Sequence, residues 1–394
     1  MINWSQNKKM NLKEKSIHLW LPNLFEFKGG IQVYLQDLLE GLLDEFPNLS
    51  LAIFDQLDKS KPKTEFSSGN ISFTFSGGVP NFLRIPHFAL NLILGALSKQ
   101  PKLIVCGHLN FAPVAFWLRR FTGIPYWILV YGVDAWMVQD RWKIEALHAA
   151  EKIVSISGYT RDRLIKEQNL PFDKIPLLPV TFDASRFEIG HKPDYLLKRY
   201  GLKPEQPVIL TVTRLASADG YKGYDQILQA LPEIRRQLPD VHYMLVGKGD
   251  DRPRIEQLIA QLHLQDCVTL AGFIPDQEIG DHYNLCDVFA MPSKGEGFGI
   301  VYLEALACGK PTLGGNQDGA IDALCNGALG ALVEPDDVGA IAQTIVQILQ
   351  GTYANPLIYQ PEALRQKVID TFGFKRFKQT LAELMQTIPI SSKS

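Results

Sequence analysis

The sequence has no excess of one charge, no paired cysteines and no long apolar run. Its 394 residues include 40 Lys and Arg against 42 Asp and Glu, a net charge of -2, so no global field draws it to nucleic acid or to an anionic membrane. The five cysteines form no Cys-x-x-Cys pair, which disfavours a disulfide framework or a zinc site and predicts reduced thiols. The apolar run 124–133 is far shorter than the ~20 residues that span a bilayer. Because residues 1–15 are polar and lack the apolar segment of a secretion signal, we expect a frayed tail and a cytoplasmic protein.

The length and the alternation of patterns indicate two α/β domains. Single domains cluster near ~100 to 200 residues, and here short β-rich segments alternate with helical patterns, as in parallel sheets covered by helices on both faces. We predict two doubly wound, Rossmann-like domains, 1–184 and 185–370, joined through an irregular proline-containing segment at 177–206. A helix and tail at 371–394 are predicted to pack back on the N-terminal domain. The expected strands are 17–21, 51–54, 103–106, 126–130, 152–156, 208–212, 243–246, 268–271 and 288–291. The expected helices are 31–44, 160–167, 225–237, 252–262, 279–286 and 299–308, with one or two more in 361–388.

The segment from 295 to 311 carries the clearest chemical signal. Three glycines between 295 and 299 follow an apolar strand, and a helix begins directly after them. Glycines let backbone N–H groups approach a ligand closely, and a helix N-terminus adds free N–H groups with a positive dipole. The segment therefore predicts a phosphate-binding loop that includes Gly297, Phe298, Gly299 and Ile300.

Two carboxylates, Glu296 and Glu304, lie in the same segment. The helix is apolar nearly all round and is expected to be buried, so Glu304 needs hydrogen-bond partners. A ribose with two vicinal hydroxyls is one such partner, and an Arg or Lys is the other. Glu296 either faces the sugar end of a nucleotide ligand or is a solvated loop residue. Taken singly, the residues leave these alternatives open.

The whole segment resembles the Glu-x7-Glu signature of family-four retaining glycosyltransferases. Glu296 and Glu304 are eight positions apart, with Gly-Phe-Gly between them and Ala-x-x-x-Gly-x-Pro after them. The resemblance implies the GT-B architecture, in which two Rossmann-like domains face each other across an interdomain cleft. It also implies that Glu304 holds the ribose of a nucleotide-sugar donor and that the backbone of 298–300 holds phosphate and sugar hydroxyls. Glu296 would then lie at the transferred sugar.

A second block resembles the same family. Arg214 follows a predicted strand and Lys222 precedes a predicted helix, so both cations can converge on a diphosphate leaving group and neutralise its charge. The family has an Arg and a Lys at the equivalent motif positions, and two surface cations are the alternative. Because these cations can replace a divalent ion and the sequence has no Asp-x-Asp triplet, no metal or other cofactor is expected.

Weaker signals complete the predicted donor site in the second half. Gly247 lies in a Gly-x-Gly turn that resembles the turn facing the nucleotide in the family. Phe273 and Ile274 follow the next strand, where the backbone of relatives holds the base. For the Phe273 ring itself, packing is the expected role.

The first half opens with Gly29 and Gly30, which resemble the family's glycine loop between donor phosphate and acceptor. A Rossmann dehydrogenase, with Asp55 as its ribose-binding acid, is the alternative. This alternative is disfavoured because the third glycine and the spacing of the dinucleotide fingerprint are absent.

The acceptor side is less well defined. Residues 130–136 resemble a family motif at the cleft in which a His commonly precedes the Gly, and Tyr131 stands in that place here. Tyr131 or Asp134 is therefore expected to act on the sugar hydroxyl, unless His108 assists; a structural role is the stronger expectation for His108. Arg161 and Arg84 are candidates for binding an acceptor phosphate, with a solvated helix start as the alternative for Arg161. The apolar stretch 82–97 is expected to pack in the core and not on a membrane surface.

These observations predict a hexosyltransferase that moves glucose from UDP-glucose, ahead of GDP-mannose or UDP-N-acetylglucosamine, to an acceptor hydroxyl. The acceptor is a sugar phosphate, as in sucrose-phosphate synthases of the same fold, or a glycan or a lipid. A nucleotide-sugar epimerase and a non-catalytic nucleotide-sugar-binding protein are the alternatives. No nucleic-acid partner is expected, and peripheral membrane contact and oligomeric state are left open.

Overall fold

The fold is built on two parallel β-sheets of six strands each, both with flanking helices. The computed structural model describes residues 16–26, 29–61 and 70–388, so the expected tail at 1–15 lies outside the described residues. The chain divides into two units. The first holds the residues up to 156, 161–178 and those from 377 onward, and the second holds 157–160 and 179–376. The changes of unit at 178 and 376 lie six residues from the predicted boundaries at 184 and 370, and the segment 157–160 has no counterpart in the predicted division.

The first sheet contains six parallel strands. In chain order, its strands and the neighbouring helices are β1 (Ser16–Leu21), α1 (Gly30–Glu45), β2 (Ser50–Asp55), β3 (Ile71–Phe75), α2 (Asn81–Lys99), β4 (Leu103–Cys106), α3 (Ala112–Thr122), β5 (Tyr126–Val130), α4 (Arg141–Ala149), β6 (Lys152–Ser155) and α5 (Gly158–Gln168). The strand order is β3-β2-β1-β4-β5-β6.

The second sheet repeats this plan. Its elements are α6 (Asp194–Tyr200), β7 (Val208–Val212), α7 (Tyr224–Gln237), β8 (His242–Val246), α8 (Arg252–Gln261), β9 (Val268–Gly272), α9 (Ile279–Leu285), β10 (Val288–Met291), α10 (Ile300–Ala307), β11 (Thr312–Gly315), α11 (Ala320–Ala323), β12 (Ala331–Val333), α12 (Val338–Leu349) and α13 (Pro361–Phe372). The strand order is β12-β11-β10-β7-β8-β9. The predicted fold class, two doubly wound α/β units, is confirmed.

The central strands form where the sequence has short uninterrupted apolar runs. Every residue of β4 and β5 is buried, as expected for parallel strands covered on both faces. The strands β3, β11 and β12 were absent from the sequence expectations. β3 lies at the sheet edge, is only half-buried and alternates apolar residues with Ser72 and Thr74, while β11 has two glycines among its four residues and β12 has only three residues. Apolar runs therefore locate strands only where the run is long enough and uninterrupted.

The helix α2 corrects the expectation that residues 82–97 pack in the core. Only Phe88, Leu92 and Ala96 of this helix are buried. Other large apolar side chains of the helix face solvent, including Phe82 and Leu94 at 81% and 55% exposure. The core expectation is thus wrong for one side of the helix.

The segment 177–206 is more ordered than expected for an irregular linker. The helix α6 lies within it and buries Leu196 and Leu197. Gly201 ends the helix with a left-handed φ of 65°, a conformation that glycine adopts at little cost. The prolines that suggested a linker flank this helix and do not interrupt it.

The last helix of the described residues is α14 (Phe374–Gln386), whose buried residues include Phe377 and Leu381. The Phe377 ring packs edge to face on Tyr34 of α1, with 5.9 Å between centroids. Leu381 contacts the same helix at Gly41, where an added Cβ would lie only 3.1 Å from the leucine. Residues of the C-terminal helix are therefore part of the first unit.

Two further expectations concern thiols and membranes. All five cysteines are free, and four of them are buried, as expected for reduced core thiols. Among the helices of the described residues, none is long and apolar enough to cross a membrane.

Candidate active site

The candidate site lies where the second sheet changes direction. From β7 the chain proceeds to β8 and β9 on one side, and then returns to place β10 on the other side of β7. Because the strands are parallel, their carboxyl ends lie at one edge, and such a switch point is where open α/β sheets bind ligands. Arg214 lies two residues beyond the end of β7, and the glycine-rich loop 292–299 follows β10. The sheet thus brings both predicted blocks to one edge.

Lys222 and Glu296 form an ion pair between these two blocks. Their side chains are only 16% and 14% exposed. Burial lowers the pKa of Lys222 from 10.5 to about 8, and the negative charges of Asp219 and Asp318 act against that shift. Glu296 is therefore not a solvated loop residue, and Lys222 is not a surface cation.

Two glycines allow the two loops to approach each other. Gly223 has a left-handed φ of 84°, and a Cβ there would lie 2.3 Å from the Pro292 carbonyl oxygen. A Cβ at Gly295 would lie 2.6 Å from the ring of Tyr221. The backbone N–H of Lys294 also donates to the Tyr221 carbonyl at 3.0 Å. Side chains at either glycine would push the loops apart and separate the two charged groups that they carry.

Arg214 is the exposed cation of the site. Its side chain is 64% exposed, and its Nε donates to the buried carboxylate of Asp219 at 2.7 Å. This hydrogen bond raises the pKa of Arg214. One edge of the guanidinium is anchored while the remainder is open to solvent, an arrangement suited to an anionic ligand. Its contact with a diphosphate stays a prediction.

The beginning of α10 is shaped by a glycine and an aromatic anchor. Gly299 has a left-handed φ of 89°, and a Cβ there would lie 2.5 Å from the ring of Tyr302. Phe298 is buried and packs edge to face on Phe372 at 5.5 Å between centroids. The Phe298 side chain therefore fixes the loop, and its backbone is the part suited to a ligand. The helix begins at Ile300, so its first N–H groups lie at the same sheet edge.

Asp318, which the sequence patterns did not single out, holds the loop that carries Glu296. It is fully buried. Its Oδ2 accepts from the Ser293 hydroxyl at 2.6 Å and from the Glu296 N–H at 2.8 Å, and its Oδ1 accepts from the Ala320 N–H at 2.9 Å. Gly319 adds a backbone hydrogen bond to the Glu296 carbonyl at 2.8 Å. Burial raises the pKa of Asp318 to about 6.

Gly319 leaves no room for a side chain beside this loop. An added Cβ would lie 2.1 Å from the carbonyl oxygen of Gly297. Asp318 and Gly319 follow β11, the neighbour of β10. The sequence signal for Arg214 and for the 295–299 loop was their position just beyond the carboxyl end of a strand, as a polar residue and as glycines. The same signal, applied to β11, would have found Asp318 and Gly319.

Glu304 lies in α10 with a tyrosine as its partner. Its Oε2 accepts a hydrogen bond from the buried Tyr283 hydroxyl at 2.7 Å. Burial raises the pKa of Glu304, and the bond from Tyr283 acts against that shift. Within the described part of the chain, the partner of this carboxylate is thus a hydroxyl and not an Arg or Lys. Glu304 keeps partial exposure, and its contact with a ribose stays a prediction.

The remaining predicted donor residues follow β8 and β9. Gly247 has a φ of 146°, and a Cβ there would lie 1.7 Å from the Thr213 carbonyl oxygen, so close backbone approach alone accounts for this glycine. Phe273 does not pack as expected: its ring is 63% exposed, with the Lys248 ammonium 5.0 Å from its centroid. Ile274 is half-buried. An exposed ring beside a cation suits stacking with a base more than it suits a core role.

In the first unit, the predicted glycine loop follows β1, which adjoins β4 at the switch point of that sheet. The buried carboxylate of Asp58 holds the loop by accepting the backbone N–H groups of residues 24–26 at 2.7, 2.7 and 3.0 Å. Gly29 precedes α1 in an extended conformation. A Cβ at Gly30 would meet no described atom within 4 Å, so the space beside this backbone is open.

Asp55 does not have the surroundings of a ribose-binding acid. It is 1% exposed, and its Oδ1 accepts the backbone N–H groups of Leu57 and Asp58 at 3.1 and 2.8 Å. Burial raises its pKa to about 8. This carboxyl group shapes the turn after β2, which removes the acid that the dehydrogenase alternative requires.

The side chain of Tyr131 is engaged by neighbouring groups of the fold. Its hydroxyl is buried and donates to the Gly107 carbonyl at 3.0 Å, and its ring lies edge to face on Tyr34. Its backbone N–H donates to Oδ1 of Asp134 at 2.9 Å. The predicted catalytic role of Tyr131 does not fit this geometry, because its hydroxyl is already engaged.

Asp134 has the features that Tyr131 lacks. Its Oδ2 is buried and, among the described residues, has no hydrogen-bond partner. Burial raises the pKa of Asp134 to about 7, and the Tyr131 N–H acts against that shift. An unpaired carboxyl oxygen that titrates near neutrality can accept or release a proton.

The three predicted acceptor residues have local partners. The Nδ1 of His108 accepts the Asn110 N–H at 3.1 Å, as expected for a structural residue, and burial lowers the pKa of His108. Arg84 donates to the carbonyls of residues 77 and 79, each at 3.3 Å. Arg161 pairs with Asp162 and lies over the Phe172 ring at 4.3 Å, so it is not simply solvated. Acceptor binding by these residues stays a prediction.

Among the described residues, no cluster of three or more His, Cys, Asp or Glu is placed to hold a metal ion.

Residues 196–363 match the family model described as glycosyl transferases group 1. The matched range contains Arg214, Lys222, Glu296 and Glu304. The match lies within the C-terminal unit and covers 168 of the 394 residues, so this part of the chain is similar to group 1 glycosyltransferases. It agrees with the family that the Glu-x7-Glu segment resembles.

Two curated glycosyltransferases are similar to parts of this chain. A GDP-mannose-dependent alpha-(1-6)-phosphatidylinositol monomannoside mannosyltransferase of Mycolicibacterium smegmatis is 34% identical over 210 residues, which cover 51% of this chain and 53% of the relative. The chain thus matches about half the length of this relative. A 2-deoxystreptamine glucosyltransferase of Streptomyces kanamyceticus is 28% identical over 279 residues, 66% of this chain and 69% of the relative.

The fold of the whole chain is also found among solved structures. The sucrose-phosphate synthase from Thermosynechococcus elongatus has a TM-score of 0.77, with 95% of this chain and 99% of that chain covered. At 21% identity, this similarity concerns the fold alone. It agrees with the predicted GT-B class of two Rossmann-like units.

Proposed function

We propose that the protein is a retaining glycosyltransferase that transfers a hexose from a nucleotide-diphosphate sugar to an acceptor hydroxyl. The observation that carries the proposal is the shielded Lys222–Glu296 pair at the switch point of a unit that is similar to group 1 glycosyltransferases. The bond that breaks in such a reaction joins a diphosphate to a sugar carbon. The Lys222 ammonium, suited to the diphosphate, and the Glu296 carboxylate, suited to the sugar carbon, are adjacent here, as that chemistry requires.

Each side chain has a distinct role in the proposal. Lys222 and Arg214 neutralise the charge that develops on the departing diphosphate, together with the N–H groups at the start of α10. Glu296 stabilises positive charge on the transferred sugar. Glu304 holds the ribose, while Tyr283 fixes the orientation of its carboxylate.

The ion pair also predicts what donor binding must change. Lys222 already has an anionic partner, so a diphosphate has to compete with Glu296 for it. Binding exchanges one anionic partner of the lysine for another and leaves the Glu296 carboxylate without its cation. That carboxylate is then available to stabilise positive charge on the sugar as the bond breaks.

On the first unit, Asp134 is the proposed acid-base group. Its unpaired, buried Oδ2 and its pKa of about 7 suit the transfer of a proton to or from a hydroxyl. His108 offers Nε2 in its neutral form, because its Nδ1 is engaged as an acceptor. Tyr131 has no direct role in this proposal.

UDP-glucose is the proposed donor and GDP-mannose the first competitor to test. The relatives named above include a GDP-mannose-dependent mannosyltransferase and a glucosyltransferase, which supports a hexose without selecting one. Their acceptors are a phosphatidylinositol monomannoside and 2-deoxystreptamine. A sugar phosphate, a glycan and a lipid therefore all belong in the acceptor panel.

Thermal-shift screening of nucleotide sugars, followed by product analysis, tests the proposal. A true donor raises the melting temperature by mass action. With a suitable acceptor, the enzyme should release free nucleoside diphosphate and form a glycoside that keeps the donor's anomeric configuration. Conversion of the donor sugar without any acceptor would instead identify an epimerase. Binding without turnover across the panel, unaffected by Glu296→Gln, would identify a non-catalytic binding protein.

A further inference from the structure

The outward side of α2 is apolar where a surface helix is normally polar. Its buried row consists of Phe88, Leu92 and Ala96, spaced four residues apart. At 3.6 residues per turn, six further large apolar side chains fall within an arc of roughly 120° on the other side of the helix. All six are exposed: Phe82, Leu83, Leu90, Ile93, Leu94 and Leu97. An amphipathic helix that only covered a core would carry polar residues there.

The neighbouring helices extend this apolar character with aromatic rings. α3 packs on α2 and exposes Trp117 and Phe121, whose rings stack at 6.1 Å between centroids. Trp117 also contacts the exposed Trp142 of α4 at 5.4 Å. Exposed Trp side chains are characteristic of interfaces where one end of the ring is in apolar surroundings and the other is hydrated.

The charge of this part of the chain has one sign. Residues 66–133 include five Lys and Arg and not one Asp or Glu, although the whole chain has a net charge of -2. Arg84 is engaged by loop carbonyls and Arg119 pairs with Glu151. Arg120 is exposed at the C-terminal end of α3, whereas Lys99 lies on the same side of α2 as its buried row and donates to the Ser72 hydroxyl at 3.1 Å. An apolar face in a part of the chain that carries cations and no carboxylate is complementary to an anionic, partly apolar surface.

We propose that the outward side of α2, with the exposed rings of α3, is a docking surface for an anionic lipid bilayer. The apolar side chains would enter the boundary between headgroups and acyl chains, while Arg120 contacts lipid phosphates. α2 is not a helix that could cross a membrane, so it lies in the plane of the interface. A second copy of the chain is a poorer occupant, because it would bring a second Arg120 against the first and no carboxylate from the same segment to pair with either.

Vesicle flotation of the full-length protein tests this inference without donor or acceptor, and so independently of the proposed reaction. Binding is compared for vesicles of phosphatidylcholine alone and of phosphatidylcholine with phosphatidylglycerol, at low and high salt. Phe82→Glu and Leu94→Glu place a charge on the apolar face, and each should weaken binding by about tenfold or more. Arg120→Ser should weaken binding to the anionic vesicles about fivefold. Phe172→Glu is the matched control, since this phenylalanine is 62% exposed on the same unit but lies outside the surface.

The possible results distinguish a lipid bilayer from a second copy of the chain as the partner of this surface. Salt-sensitive binding to anionic vesicles that is lost in Phe82→Glu and Leu94→Glu, but kept in Phe172→Glu, supports the inference. Equal loss in the control, or no binding to either vesicle, overturns it. Sedimentation velocity gives a further test: a dimer that Leu94→Glu converts to a monomer, without vesicle binding, identifies a second copy as the occupant and overturns the bilayer. Melting temperatures of all variants should match wild type, because the changed side chains are exposed.

Discussion

Replacing Glu296 with Gln tests whether the Lys222–Glu296 pair is a functional element or only a structural one. The substitution keeps the shape of the side chain and removes its charge. We expect turnover to fall by about 10² to 10³, the loss seen when one well-placed electrostatic group is removed from a reacting centre. Affinity for a nucleoside diphosphate should be kept or increase, because Lys222 no longer has a competing anion in contact with it.

The loss of folding stability in Glu296→Gln depends on the charge state of Lys222. Removing one partner of a buried ion pair commonly costs about 3 to 5 kcal/mol, since an unpaired charge stays behind. Lys222 can avoid this state by releasing its proton, because its pKa is about 8 with Glu296 present and falls further without that carboxylate, so the release at pH 7 costs no more than about 1.4 kcal/mol. The lysine takes the proton up again when a diphosphate binds beside it. We therefore expect Glu296→Gln to destabilise the protein by about 1 to 2 kcal/mol. Lys222→Met, which leaves a carboxylate without its cation, should destabilise it more.

Calorimetric titration with UDP and GDP, together with rates of nucleotide release at saturating donor, separates binding from chemistry. Lys222→Met should weaken nucleotide binding about ten- to hundredfold, the equivalent of one charge-assisted hydrogen bond. Glu256→Gln is the control, because Glu256 is an exposed carboxylate paired with Arg252 on α8 and should change neither quantity. The reasoning is refuted if Glu296→Gln loses nucleotide affinity to the same extent as Lys222→Met while its turnover is unchanged.

Three further predictions follow from two buried carboxylates and from one glycine beside the Glu296 loop. The pKa of Asp134 is about 7 in the folded state, raised from 3.8, so ionisation of this carboxyl lowers the free energy of unfolding by up to about 4 kcal/mol as the pH rises from 3.8 through 7. Asp134→Asn removes this charge and should therefore raise the melting temperature more at pH 8 than at pH 5; equal shifts at both pH values would contradict this. In Asp318→Asn, the amide NH2 group replaces one of the two accepting oxygens and must face an N–H or O–H donor, so the Glu296 loop should shift and turnover should fall about tenfold or more. Unchanged rates would show that the loop keeps its position without Asp318. Gly319→Ala places a Cβ 2.1 Å from the Gly297 carbonyl oxygen and should reduce turnover similarly, while Gly220→Ala, in open space on the same unit, should not.

The donor side of the site was predictable because each block is local in sequence. The glycines at 295–299 directly follow a strand and directly precede a helix, and Arg214 follows β7 in the same way. Once the strands are known to be parallel, the meeting of these blocks at one edge follows from the sheet. The partners of the blocks were not predictable by spacing. Asp318 contacts Glu296 across 22 residues and Tyr283 contacts Glu304 across 21, and only the packing of the helices selects such pairs.

Tyr131 shows a second limit of the sequence. The resemblance placed it where relatives commonly have His, and residue type alone suggested that its hydroxyl replaces the imidazole. The decisive fact is the position of the Gly107 carbonyl, which lies 3.0 Å from that hydroxyl, directly after β4 and 24 residues away in the sequence. A polar group that is satisfied within the fold is removed from the chemistry, while the neighbouring Asp134 has an oxygen that the fold leaves unsatisfied. Hydrogen-bond satisfaction, and not residue type, thus distinguishes Tyr131 from Asp134. An unpaired oxygen alone does not identify a catalyst, because Asp55 also has one; Asp134 is the candidate because it lies in the motif at 130–136.

The helix α2 shows why periodicity could not distinguish a core helix from an exposed one. Apolar residues on both sides of a helix predict burial only if another element covers each side, and the sequence does not state how many neighbours a helix has. The available signal was electrostatic: 68 consecutive residues, 66–133, without a carboxylate. Core packing does not explain why the loops and helix ends around an apolar helix lack carboxylates. An anionic partner explains it, because each carboxylate at this surface would oppose the binding of that partner.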